Sequence, residues 1–233
     1  MATTGRIRTQ VRDKGRIERN PQSQQSLRVP KVEFRSNDRT AIFGGTGQGK
    51  SEIAKWIFQS MRNRKKIILN SKPDKGLLRE YPNWQRKIDG ELRDGVTHIA
   101  RFYKRPTGFD KWDDILELWT QGNILFYFDE LPNHADENRW SGHLEQIYQT
   151  GRTFGVGSIT CAQRPVMVPN FTISEAQHIF IAYTQLESDR KKLEGATGVK
   201  WDILRHLPPY HFGYYSQRLG MTEPVILPPI PLS

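Results

Sequence analysis

Between residues 40 and 184, apolar positions fall into short continuous runs separated by amphipathic or charged stretches. The runs "TAIF" (40–43), "KIILN" (66–70), "NILFYFDE" (123–130), "FGVGSITCAQ" (154–163) and "HIFIAYT" (178–184) are too short for core helices. They are rich in β-branched and aromatic residues, so each predicts a buried strand. "GVTHIARFY" (95–103) is a further, less sharply bounded strand. The intervening segments follow the helical period instead. From about Ser51, the residues Ile53, Ile57, Phe58 and Met61 share one face. "DKWDDILELWTQ" presents Trp112, Ile115, Leu116 and Trp119, and "SGHLEQIYQTGR" presents Leu144, Ile147 and Tyr148. "LESDRKKLEGATG" reads as a charged helix stopped by glycine. Fully apolar strands alternating with helices predict an α/β domain whose mainly parallel sheet is covered on both faces.

The pattern is absent at the amino end. Residues 1–29 carry Arg6, Arg8, Arg12, Lys14, Arg16 and Arg19, then a Gln/Ser-rich stretch, with almost no large apolar residue. Such a segment cannot offset its ordering entropy by burial, so it is read as a flexible basic arm. The patterned domain is expected over 30–220. "MTEPVILPPIPLS" (221–233) is expected to form an edge strand and then an extended proline-rich tail.

Composition fits this division. The 233 residues, 36% hydrophobic and 26% charged, suit one domain with extensions. A net charge of +10 favours polyanionic partners, which are bound through phosphate contacts and counterion release. Cys161 is the one cysteine, which excludes a disulfide framework and a cysteine-based zinc site. There is no apolar stretch of membrane-spanning length and no signal-peptide core, so a soluble protein of a reducing compartment is expected.

The chemistry starts at "GGTGQGKS" (44–51), which satisfies G-x-x-x-x-G-K-[ST] with Gly44, Gly49, Lys50 and Ser51 in the fixed places. Gly45, Thr46, Gly47 and Gln48 complete the loop. Glycines let backbone N–H groups converge on phosphate oxygens, and the following helix adds its positive end. ATP with Mg²⁺ is therefore expected, Lys50 reaching the β- and γ-phosphates and the Ser51 hydroxyl ligating the metal. In "ILFYFDE", Asp129 is placed to hold Mg²⁺ through water and Glu130 to polarise the attacking water. The N-K-x-D pattern that reads guanine is missing, which weighs against a GTPase. Gln163, at the end of the next strand, can sense the γ-phosphate or that water.

With "YQTGRTFGVGSITCAQRP" following the P-loop and the "DE" strand, the chain resembles the HerA–FtsK superfamily of P-loop ATPases over about Thr40 to Tyr215. The Gln163-Arg164-Pro165 triplet is the most distinctive part. The resemblance implies a RecA-like (ASCE) fold and an ATP-driven motor that pumps double-stranded DNA as a homo-oligomeric ring, by analogy a hexamer. FtsK-type membrane spans and a HerA-type N-terminal barrel have no counterpart here. The size is instead similar to the small genome-packaging ATPases of tailless, internal-membrane double-stranded DNA viruses. That comparison implies a place in the host cytoplasm or at a packaging vertex of the virion, with capsid or membrane-vertex proteins as partners. The alternatives are a cellular HerA-like or conjugation-type pump, and a nucleotide-gated structural or adaptor protein with little turnover.

Such rings complete each site with an arginine from the neighbouring subunit, and Arg152 and Arg190 are the candidates; Arg164 is expected to brace the loop after Gln163. Basic residues at "RNRKK" (62–66), "RFYKRP" (101–106), Lys72 and Lys75 are possible phosphate contacts. "RNRKK" reads better as a solvated helix end.

Overall fold

The computed structural model describes residues 32–70, 97–101 and 110–229, together with residues 92, 94 and 95. The arm over 1–29, Lys72, Lys75, most of "RFYKRP" and the last residues of the tail lie outside the described residues.

The strands are β1 (Arg39–Phe43), β2 (Lys65–Asn70), β3 (Thr97–Arg101), β4 (Ile124–Phe128), β5 (Gly157–Ala162), β6 (His178–Ile181), β7 (Phe212–Tyr215) and β8 (Val225–Leu227). They form an eight-stranded sheet in the order β3-β2-β4-β5-β1-β6-β7-β8. Pairing is parallel from β3 through β6, and β7 and β8 extend that edge antiparallel. β5 lies between β1 and β4, so the strands leading to the glycine loop and to the carboxylates are not neighbours.

Alternation along each strand explains why the runs are continuously apolar. In β1, Ala41 and Phe43 join a core with Phe126, Phe128, Leu144, Ile147 and Tyr148. Ile42, between them, joins the opposite core with Ile53, Ile57, Phe58 and Tyr127. Both faces are covered, so every position of β1, β4 and β5 is buried.

The helices are α1 (Lys50–Ser60), α2 (Asp110–Leu116), α3 (Gly142–Gln149), α4 (Phe171–Ser174) and α5 (Glu187–Thr197). The Ser141 hydroxyl caps α3 by accepting from the Leu144 N–H at 3.1 Å. Gly198, at φ 74°, ends α5 in the left-handed conformation.

Three boundaries differ from the pattern reading. α2 is shorter than predicted and tightens into a 3₁₀ turn over Glu117–Gln121. A second 3₁₀ turn, Gly151–Phe154, precedes β5, which starts three residues later than "FGVGSITCAQ" suggests. "RNRKK" is not a helix end, because α1 stops at Ser60 and Lys65 and Lys66 open β2. The Lys66 ammonium donates to the Phe58 carbonyl at 2.6 Å and lies over the Phe58 ring, so it is half-buried.

A buried polar cluster anchors the approach to β1. The His178 ring bridges Asp38 at 3.1 Å and the Tyr214 hydroxyl at 2.9 Å. Burial works to raise the Asp38 carboxyl, but hydrogen bonds from His178 and the Arg35 N–H outweigh it and hold the pKa below its usual range. The opening of β5 is packed as tightly. A Cβ on Gly157 would stand 2.5 Å from the Ser36 carbonyl oxygen and 2.9 Å from that of Asp38. Gly157→Ala is therefore expected to cost about 1–3 kcal/mol, read as a lower urea midpoint at unchanged m-value. An unshifted midpoint would mean that this backbone yields freely.

Candidate active site

Strand register brings the carboxyl ends of the central strands to one edge of the sheet. Phe43 is level with Ala162 of β5 and Ile181 of β6, and Phe128 with Thr160 and Leu69. Ligands of open parallel sheets sit at this edge.

The glycine loop leaves β1 here, with the Gly44 N–H donating to the Ala162 carbonyl at 3.3 Å. A Cβ at Gly44 would come within 2.8 Å of the Ala182 Cβ, so only glycine lets the loop lie this close to β6. Gly49 has φ 89° and is the N-cap of α1, turning the loop directly into the helix. Gln48 folds back, accepting from the Gly45 N–H and donating to the Tyr183 carbonyl at 3.3 Å. Lys50 is buried, and its ammonium donates across the loop to the Gly45 carbonyl at 3.2 Å. The loop is thus closed on itself by its own side chains, with the positive end of α1 at its mouth.

Gly45, Gly47, Gly49, Lys50 and Ser51 line a cleft of about 590 Å³, whose remaining walls include Tyr210, Phe212 and Pro229. That volume suits a small-molecule site, which typically occupies roughly 300–1,000 Å³.

Asp129 and Glu130 leave β4 at the same edge. The Asp129 N–H donates to the Leu69 carbonyl at 3.3 Å, and the Tyr127 hydroxyl donates to the Asp129 carboxylate at 3.3 Å. Glu130 is only 5% exposed. Its carboxylate accepts the Gln163 N–H at 3.2 Å, which ties the end of β4 to the end of β5. The exposed Gln163 side chain shares a second cleft with Gly44, Gly45 and Gln48. The loop, the β4 carboxylates and the β5 glutamine therefore meet at one edge.

The chain as a whole is similar to several known proteins. The DNA packaging ATPase P9 of Enterobacteria phage PRD1 is 25% identical over 225 residues, spanning 88% of this chain and 91% of that protein. The genome packaging NTPase B204 of Sulfolobus turreted icosahedral virus 2, in complex with AMPPCP, superposes with a TM-score of 0.69 at 16% identity. The match covers 84% of this chain and 100% of that one. The pCW3 conjugation coupling protein TcpA matches at a TM-score of 0.56 and 13% identity, over 82% of this chain and 60% of that chain. No protein-family model matches the chain.

The chain has the fold of these viral packaging NTPases, with the glycine loop between β1 and α1.

Among the described residues, no group of three or more His, Cys, Asp or Glu side chains could hold a metal unaided. Ser51 and Asp129 fit Mg²⁺ better, since that ion takes one or two protein ligands and completes its shell with phosphate oxygens and water.

The arginines separate clearly. Arg164 donates through Nε to both Asp189 carboxylate oxygens, at 3.3 and 3.2 Å, and through Nη2 to the Ser188 hydroxyl at 3.1 Å. It fastens the loop after Gln163 to the start of α5. Arg190 is 5% exposed, and its guanidinium donates to the Gln185 carbonyl at 3.0 Å. Arg152 is exposed in the turn before β5, at the sheet edge opposite the glycine loop.

Sequence reading missed Tyr210, Phe212 and Pro229. The apolar pattern of "PYHFGYY" is broken by proline and glycine, and only the antiparallel addition of β7 brings it beside α1. Gln48 was legible as a loop member, but not as the side chain that pins the loop to β6.

Proposed function

We propose that this chain is an ATP-hydrolysing genome-packaging motor that drives double-stranded DNA into a preformed capsid. The carrying observation is the buried Glu130 carboxylate, bonded to the Gln163 backbone at the sheet edge where the P-loop emerges. The likeness to P9 and B204 over nearly their whole lengths supports the packaging reading.

In this reading, Lys50 gives up its contact with the Gly45 carbonyl to pair with phosphate oxygens, and the α1 N–H groups complete the cradle. Mg²⁺, held by Ser51 and by Asp129 through water, would neutralise charge on the β- and γ-phosphates. Glu130 accepts a proton from the attacking water. Its link to the Gln163 N–H makes the end of β5 responsive to what Glu130 binds. Arg164 then carries that response to α5 through Asp189.

Arg152 cannot complete the site of its own subunit, because it sits at the other end of β5. It is well placed to enter a neighbour's site, which calls for a ring. The enzyme is expected in the host cytoplasm and at a packaging vertex. No helix of the described residues is long and apolar enough to cross a membrane.

The test is ATP turnover by size-fractionated protein with and without double-stranded DNA. Turnover confined to an oligomeric fraction and stimulated by DNA is expected; DNA-indifferent turnover by a monomer would sink the motor reading. Mixing Arg152→Ala with Glu130→Gln subunits should restore activity at intermediate ratios, since each variant retains what the other lacks. Such fingers are worth roughly 10³–10⁵ in rate, so recovery would be easily seen. No recovery at any ratio would remove Arg152 from the role.

A further inference from the structure

The cleft beyond the phosphate loop ends in a wall of rings. Tyr210, Phe212 and Pro229 stand across from Ile53 and the α1 N-terminus, continuous with Lys50 and Ser51 in one cavity. Tyr210 is unusual in two ways. Its side chain is 61% exposed, although it belongs to a large aromatic residue beside a cleft. Its backbone has φ 61°, and among the described residues the other non-glycine with positive φ is Asn123. Asparagine tolerates the left-handed region, whereas a bulky aromatic residue occupies it at a cost and is held there by its surroundings. Tyr210 also lines the adjoining cleft beneath Pro208 and Pro209, so it stands as the partition between the two cavities. The backbone before it is stiffened by those prolines, which presets the ring's position.

We propose that Tyr210 and Pro229 clamp the nucleotide base by its faces, and that this NTPase consequently discriminates little between adenine and guanine nucleoside triphosphates. The occupant follows from continuity, since a triphosphate seated at Lys50 and Ser51 places its nucleoside in this same cavity. The weak selectivity follows from the lining. The Tyr210 ring, Phe212, Pro229 and Ile53 offer faces and apolar edges. The polar side chains Lys50 and Ser51 lie at the phosphate end, and Glu52 is paired with Lys55 at 3.4 Å. Stacking is tolerant because every base has a π-face, whereas strong discrimination needs polar groups left unpaired by the wrong base. The assignment rests on the P-loop reading of Gly44–Ser51.

Tyr210→Gly is the incisive variant, because it deletes the ring and relieves the positive φ together, leaving the fold unstrained. Calorimetric titration of the full chain with Mg²⁺ would compare AMPPCP, GMPPCP and inorganic tripolyphosphate. The wild-type protein should bind AMPPCP and GMPPCP within about tenfold of each other, as expected for recognition by stacking alone. Tyr210→Gly should weaken both nucleoside analogues by roughly tenfold, the scale of one lost base–aromatic stack, and leave tripolyphosphate affinity unchanged. Tyr210→Phe should bind like the wild type. Unchanged AMPPCP affinity in Tyr210→Gly, or a wild-type preference beyond tenfold for either base, would overturn the clamp. Failure of the underlying P-loop reading shows separately, as tripolyphosphate affinity that Lys50→Ala leaves intact.

Discussion

Lys50→Ala is expected to leave a folded protein that binds ATP at least about tenfold more weakly and does not turn it over, with or without DNA. The lysine is buried, and its ammonium already spans the loop to the Gly45 carbonyl at 3.2 Å, so it needs little rearrangement to meet a phosphate. A charge-assisted hydrogen bond is worth about 1.5–3 kcal/mol. Losing one or two of them lowers affinity by roughly tenfold to twenty-thousandfold. Alanine also removes the positive charge that faces the γ-phosphate as charge develops there. Equilibrium binding of AMPPCP and a phosphate-release assay check the two effects separately. Preserved turnover would take Gly44–Ser51 out of the active site.

Glu130→Gln should behave differently, retaining nucleotide affinity but losing hydrolysis. The substitution keeps the shape of the side chain and an oxygen that can accept the Gln163 N–H, now at 3.2 Å. What disappears is the ability to accept a proton from water. A positioned general base contributes typically about 10²–10⁴-fold, and a loss of that size is expected in turnover. Single-turnover hydrolysis beside an unchanged AMPPCP affinity is the informative pair of measurements. Near-normal hydrolysis would assign the base elsewhere. Loss of binding as well would mean that Glu130 serves chiefly to hold the β4 and β5 ends together.

These two residues also mark what was legible before any coordinates. Lys50 is identified by its spacing from Gly44 in a loop between a buried strand and an amphipathic helix, all of it local. Glu130 is a candidate because the Asp-Glu pair follows four apolar or aromatic residues downstream of the glycine loop, and a carboxylate at the mouth of such a strand has few structural uses. Its bond to the Gln163 backbone spans 33 residues and no pattern announces it. Sequence favours Arg152 only slightly over Arg190, since both are basic and near the motif strands. Burial separates them: Arg190 is committed to the Gln185 carbonyl, while Arg152 is exposed at the far edge.

The division has one physical cause. Strand and helix periods, the glycine loop and the candidacy of Lys50, Ser51, Asp129 and Glu130 depend on neighbours close along the chain, so they are read from the amino-acid order alone. The insertion of β5 between β1 and β4, the antiparallel addition of β7 and β8, and the arrival of Tyr210 and Pro229 beside α1 depend on which surfaces bury one another across long stretches of chain. Only the folded sheet decides those, and with them the shape of the cleft beside the glycine loop.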